Sequence, residues 1–259
     1  MSDHNPYQPP SVVVQDSELP HENENFIPEG RTVDAGHGIS WLTGGFKMVL
    51  AQFVPWLLIT IVILVVMFII GMIPLVNLLS NLIFPVLFGG ILIGAQRQAQ
   101  GGTIEVGDVF AGFKEKAGPL IIIGILTLVM SLVLFGIVIV FFGFSLFTAF
   151  ATHNQQAIFA SMGSLFLAIP VILVLGMLIT ACWWLAPALV VFHDVPPVEA
   201  MKRSFSASLR NWAPVLIYGV LATIALVVGM IPLGLGLLLV WPALLAATYV
   251  AYRDIFIEG

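Results

Sequence analysis

The side chains in this 259-residue chain that could supply a nucleophile, a base and an orienting acid are few, and they fall in two late segments. His193, Asp194, Glu199, Lys202 and Ser204 lie in one, and Arg253 and Asp254 in the other. A hydrolytic or acid-base centre would need these to converge. Their spacing does not prescribe it, because one histidine beside one carboxylate has no ligand or triad periodicity. Cys182 is the sole cysteine, so neither a disulfide nor a thiolate metal cluster is expected. The reading is therefore of no catalytic, cofactor-binding or metal-binding residues. Glu199, Lys202, Arg203, Arg210, Arg253 and Asp254 form instead a candidate interaction face, and charge complementarity predicts that Arg253 and Asp254 pair with Glu199 and Lys202. A second polar set, Asn77 and Asn81 with Tyr218, lies within apolar stretches, where it would line a solute site or bond between helices.

The elements carrying these residues are membrane helices. Apolar residues make up 59% of the chain and charged ones 9%, and the mean hydropathy is +1.07. A spanning helix needs about 20 apolar residues to cross roughly 30 Å of hydrocarbon. Six stretches qualify, near Pro55 to Ile73, Val76 to Ala95, Pro119 to Phe142, Ser164 to Trp184, Trp212 to Ile231 and Leu233 to Tyr249. All 9 basic and 14 acidic residues can lie on one side of such a bundle. Arg97, Lys114, Lys116, Lys202, Arg203, Arg210 and Arg253 flank the even-numbered spans, and the opposite loops carry no basic residue. The positive-inside bias then puts both termini in the cytoplasm.

The chain repeats itself. Gly71-Met-Ile-Pro-Leu75 recurs as Gly229-Met-Ile-Pro-Leu233. Phe46 precedes Pro55 by nine residues, as Phe110 precedes Pro119 and Phe205 precedes Pro214. Pro85, Pro187 and Pro242 recur late in the units, and Arg97 and Arg253 close the first and third. The fold expected is all-α, with six transmembrane helices in three parallel repeats of about 38–97, 104–194 and 197–253, the middle one lengthened by about 40 residues. Each repeat begins with an amphipathic cytoplasmic helix lying in the interface. Ile39, Leu42, Phe46, Val49 and Phe53 mark the apolar face of the first, and Val198, Met201, Phe205, Leu209 and Trp212 that of the third. Residues 31–259 make the membrane domain. Residues 1–30, acidic with Asn5-Pro-Tyr-Gln-Pro-Pro10, read as a disordered cytosolic arm. No basic patch interleaved with aromatics is present, so nucleic acid is not an expected partner. No carboxylate, Lys or Arg lies inside a span, which lowers the prospect of an ion-coupled carrier.

Trp184-Leu-Ala-Pro-Ala-Leu-Val-Val-Phe-His-Asp-Val-Pro-Pro-Val-Glu-Ala-Met-Lys-Arg-Ser-Phe205, Asn211-Trp-Ala-Pro214 and Tyr252-Arg-Asp-Ile-Phe256 resemble the BPSS-type family of proteobacterial integral membrane proteins, from roughly Arg31 onward. The Glu199-to-Ser204 segment is more distantly similar to the non-catalytic membrane domains attached to some bacterial glycerophosphodiester phosphodiesterases. The Asn5-Pro-Tyr-Gln-Pro-Pro leader resembles the starts of several bacterial membrane proteins. The resemblance implies an inner-membrane location and supplies no reaction, substrate or catalytic residue. The expected function is a non-enzymatic membrane scaffold or accessory protein that presents its cytoplasmic face to a protein partner or anionic lipid. The alternative is a transporter or channel for a small uncharged or amphipathic solute.

Overall fold

The computed structural model describes residues 26–72, 80–152 and 155–257. Asn77, the loop around Pro74, His153 and the arm up to residue 25 lie outside the described residues. The described chain is helical; its one β pairing is an isolated antiparallel bridge between Phe26 and Ile257. Five helices are long and apolar enough to cross a membrane, over Phe53–Gly71, Ser80–Ala99, Ala117–Val138, Ala168–His193 and Trp212–Met230.

Three short helices each run into a long one through a single non-helical residue. Helix α1 (His37–Ala51) meets α2 (Phe53–Gly71) at Gln52, with φ −135° and ψ 56°. After α3 (Ser80–Ala99), a 3-10 turn over Val106–Phe110 and α4 (Ala111–Glu115) lead through Lys116, φ −140° and ψ 31°, into α5 (Ala117–Val138). Helix α9 (Pro197–Arg210) meets α10 (Trp212–Met230) at Asn211, φ −103° and ψ 37°. The cause is local. Pro55, Pro119 and Pro214 each stand three residues after the joint, and a proline ring clashes with the carbonyl four residues before it. Those carbonyls belong to Ala51, Glu115 and Arg210, the residues where the short helices end. Each proline is itself harmless in the first turn of the helix it opens.

The middle of the chain is longer than a bilayer requires. Helix α5 passes through a π-helical stretch, Ile139–Gly143, into α6 (Phe144–Ala151), and α7 (Gln155–Trp183) returns. Residues 117–151 amount to about 50 Å of helix at 1.5 Å per residue. Helix α8 (Ala186–His193) continues after a break at Trp184 and Leu185, one turn before Pro187 would collide with the Trp183 carbonyl. The last helix, α11 (Leu237–Phe256), begins four residues later than the sequence predicts. Leu233 and Gly234 take left-handed backbone, φ 55° and 81°, and hold Leu233–Gly236 in turns.

The core lies where α3, α8 and α11 meet, each packed against α9 or α1 as well. Phe88, Leu92, Leu189, Tyr249, Tyr252 and Phe256 are buried there. The lead-in helices approach this core through small residues. A Cβ on Gly45 of α1 would fall within the van der Waals shell of the Ala243 carbonyl, and one on Gly112 of α4 within that of Val86. In α9 the covered stripe is Ala200, Met201, Ser204, Ala207 and Ser208.

The faces marked by periodicity are divided. Leu42 and Val49 on α1 and Met201 on α9 are buried in the bundle, with Gly38, Trp41 and Gly45 beside the first two, while Ile39, Phe53, Val198, Leu209 and Trp212 remain exposed. Lipid is as apolar as leucine, so close approach of small residues, rather than burial of large ones, brings membrane helices together.

Candidate functional site at the charged rim

Asp254, in the last turn of α11, is the most heavily bonded carboxylate among the described residues. Arg31 donates through Nη2 to its Oδ1 at 3.0 Å and through Nε to its backbone oxygen at 2.6 Å. His37 Nδ1 lies 2.7 Å from Oδ2, and Trp41 Nε1 donates to the same oxygen at 2.6 Å. Sequence reasoning missed this, since the donors lie 213 to 223 positions away. The pairing predicted between the C-terminal charges and α9 is corrected here: Glu199 bonds within its own helix to Arg203 at 3.0 Å, and Asp254 turns to α1 and the segment before it. A carboxylate fixing a histidine by Nδ1 leaves Nε2 for a proton or a ligand. Among the described residues, no hydroxyl bonds that ring.

Residues 26–33 strap this end. Ile27 N–H donates to the Phe256 carbonyl and Arg31 N–H to that of Ile255, both at 2.8 Å. Arg210 Nη1 donates to the carbonyls of Glu29 and Gly30. The ring of Phe26 stacks on His193 with centroids 3.7 Å apart, and His193 Nε2 lies 2.5 Å from the Tyr252 hydroxyl.

The three joint residues then do the same thing with different chemistry. Gln52 accepts from Ile104 N–H at 2.9 Å and donates to the Gly102 carbonyl at 2.8 Å. Lys116 pairs with Asp194, which sits in left-handed backbone just before α9. Asn211 accepts from Val33 N–H at 2.8 Å and donates to the Arg31 carbonyl at 3.0 Å. Each joint thus holds the segment that leads into another short helix: the first holds the second, the second the third, and the third the first.

The other sequence-predicted residues serve structure. Ser204 is buried: its hydroxyl donates to the Ala181 carbonyl at 2.7 Å and accepts from Leu185 N–H at 3.1 Å. It relays the i to i−4 bond interrupted where α7 breaks, which uses both of its hydrogen-bonding functions. His193, Asp194, Glu199 and Ser204 are therefore not assembled as a nucleophile, base and acid. Lys202 and Arg210 are exposed, and Arg203 and Arg253 half-buried. Arg97 pairs with buried Asp108 at 2.8 Å. Tyr218 stacks on Trp184 at 5.4 Å, lies edge-on to Trp41, and bonds the Leu244 carbonyl at 3.3 Å. Asn81 is half-buried, with its carbonyl against Gly124. Tyr218 and Asn81 are thus not brought together around a shared opening; Asn77 lies outside the described residues. Among the described residues, no three His, Cys, Asp or Glu side chains converge as metal ligands.

An open cleft of about 440 Å³ is lined by residues of α1 and α11, among them His37, Trp41, Met48, Val250, Arg253 and Asp254, together with Arg31 and with Ala99 of α3. Comparison with protein-family models, with curated proteins and with solved structures returned no match.

Proposed function

We propose that this chain is a six-span, non-enzymatic scaffold or accessory protein of a bacterial inner membrane, with both termini in the cytoplasm. It is built of three parallel units, and α11 serves as the sixth span. The equivalent joints at Gln52, Lys116 and Asn211, each three residues before a proline, support the repeat. In this reading α1, α4 and α9 lie in the cytoplasmic interface, and their exposed apolar residues, Ile39, Phe113 and Leu209 among them, meet lipid. The resemblance to BPSS-type proteins belongs to the same proposal.

The observation that carries it is how the polar groups at the charged end are used. Asp254, Ser204, Asn211 and Gln52 are engaged in holding helices together, and Lys47, Lys114, Lys202 and Arg210 stay exposed around them. That is a rigid frame with a basic edge, suited to docking an acidic partner or anionic headgroups. A route for a small solute finds less support. Tyr218 is enclosed by two tryptophans, and buried aromatic and leucine side chains fill the middle of the charged end.

Two measurements test it. A cysteine at Ser206, in a chain with Cys182→Ala, is expected to react with an impermeant maleimide only from the cytoplasmic side; labelling from outside overturns the topology. Gentle extraction of the full chain and of one lacking residues 1–25 is expected to yield a stoichiometric protein partner held by the full chain alone. A chain that retains no protein in either form is not an adaptor.

A further inference from the structure

The middle unit outruns both the membrane and its neighbours. Lys116 pairs with Asp194, so α5 departs from, and α8 returns to, one level at the charged rim. From there α5, the π-helical turn and α6 run about 50 Å. A helix of that length fits about 30 Å of hydrocarbon only at a tilt of roughly 55°, past the roughly 40° that spanning helices reach. Helix α3, against which α5 packs, gives the same measure. A Cβ on Gly124 would fall within the van der Waals shell of the Asn81 carbonyl, in the first turn of α3, and α5 and α6 continue about 40 Å past that contact. Out there α6 packs on α7. No Lys, Arg, Asp or Glu stands between Lys116 and Asp194. Yet Phe147 and Phe150 of α6 are 69% and 59% exposed. Lipid tails do not cover what lies past the hydrocarbon, and an apolar patch left to water marks a contact surface.

The exposed residues of this leg are in register. Ile122, Ile125, Val129 and Leu132 are exposed at alternating intervals of three and four, on the side of α5 away from buried Leu120, Ile123 and Gly124. The alternation goes on through Gly136, exposed Ile139 and Gly143 to Phe147 and Phe150. A Cβ on Gly136 would meet nothing within 4 Å, and one on Gly143 only Ile139 of its own turn. The one irregular step is from Gly143 to Phe147, four residues where three are due. It adjoins the π-helical turn, whose wider winding takes up one residue. Alternation of three and four is the spacing of a coiled-coil seam.

We propose that this seam is covered by a second copy of the chain, α5 and α6 of each lying parallel across a two-fold axis along the membrane normal. Copies insert in one orientation, so equal heights meet and each seam residue faces its own counterpart. An identical partner matches an uncharged face, and it carries the same surplus length, so both tips are covered together. Phe147 and Phe150 each offer on the order of 100 Å². With the aliphatic side chains from Ile122 to Ile139, the face approaches the roughly 800 Å² per partner of a stable interface. The pairing goes beyond the scaffold reading and holds whichever way the charged rim faces.

The test is disulfide crosslinking of the full chain in membranes, with Cys182→Ala as background. Leu132→Cys and Phe147→Cys are expected to give a crosslinked dimer on mild oxidation. Ile137→Cys, exposed but off the seam, is expected to give several-fold less. Single-molecule photobleaching of the labelled full chain at low density in liposomes is expected to show two steps. Phe147→Ser with Phe150→Ser is expected to move most traces to one step at an unchanged melting temperature. If that variant melts early, the crosslinking pattern decides alone, since it needs only single cysteines at exposed positions. Equal crosslinking at 132, 137 and 147 is random collision and overturns the seam. Single-step traces from the parent chain overturn the dimer and assign the hairpin to lipid headgroups. Single steps with one stoichiometric protein of another kind crosslinked at residue 147 assign it to a different partner and overturn self-association.

Discussion

Helices α11 and α5 are nearly equal in length and opposite in use. Helix α5 is mostly Ile, Leu, Val and Gly, and only Leu120, Ile123 and Gly124 are buried. Helix α11 carries Thr248, two tyrosines and a run of alanines, and nearly all of it from Val240 to Phe256 is covered. The span over α3 follows α11, with 12 of its 20 residues buried against 3 of 22 for α5. In a soluble protein the most apolar helix would sit innermost. Here α5 is among the most exposed spans, because the surrounding hydrocarbon accepts Ile and Leu without cost, while α11 is drawn inward by residues that let its backbone touch α1 or that bond across helices, beside large core side chains such as Phe88 and Leu92. Between these two helices apolarity follows exposure to lipid, and polarity or smallness follows contact.

The strongest way to break that contrast is to place the same substitution on each side of it. Gly45→Leu, against the α11 backbone, is expected to cost about 3 kcal/mol or more, since backbone cannot give way as a side chain can. Gly136→Leu on α5, where no atom lies within 4 Å of the added Cβ, is expected to be neutral or slightly stabilising. Melting followed by size-exclusion chromatography in one detergent compares them, and equal losses would erase the distinction. Ser204→Ala comes next, at about 2 to 3 kcal/mol, because it leaves a buried N–H and a buried carbonyl without partners. Asn211→Ala, losing two bonds to the backbone of residues 31–33, is expected to cost about 1 to 2 kcal/mol and to speed proteolysis of the strap. Lys116→Ala, whose partner Asp194 is 62% exposed, ranks last at about 0.5 kcal/mol, and less in high salt. If Lys116→Ala equalled Asn211→Ala, the three joints would be alike in strength as well as in place.

Four of the spans were legible in the sequence to within about four residues, because length and apolarity are set by the bilayer; the fourth in chain order, expected over Ser164 to Trp184, lies over Ala168–His193. The ends of the short helices were legible too, in the prolines at 55, 119 and 214. The faces were legible only in part: periodicity marked Leu42 and Val49, which are buried, together with Ile39 and Phe53, which are exposed, and it passed over Gly38 and Gly45, residues that hydropathy scores as nearly neutral. At the candidate site the basic edge, Lys202 and Arg210, could be read from charge alone. The ligation of Asp254 could not, since nothing local in Tyr-Arg-Asp announces donors more than two hundred residues earlier. The bridging role of Ser204 could not be read either, because a sequence does not show which helix is broken beside it.

The contact between Gly45 and Ala243 also sets an order of events during synthesis. Helix α1 leaves the ribosome before α11, and its seat there follows roughly 200 residues later, about 10 to 40 s at ordinary elongation rates. Through that interval its glycine face must wait in the interface with no mate. The α1–α11 seam therefore closes only once α11 has been made, with α1 already in place to receive it.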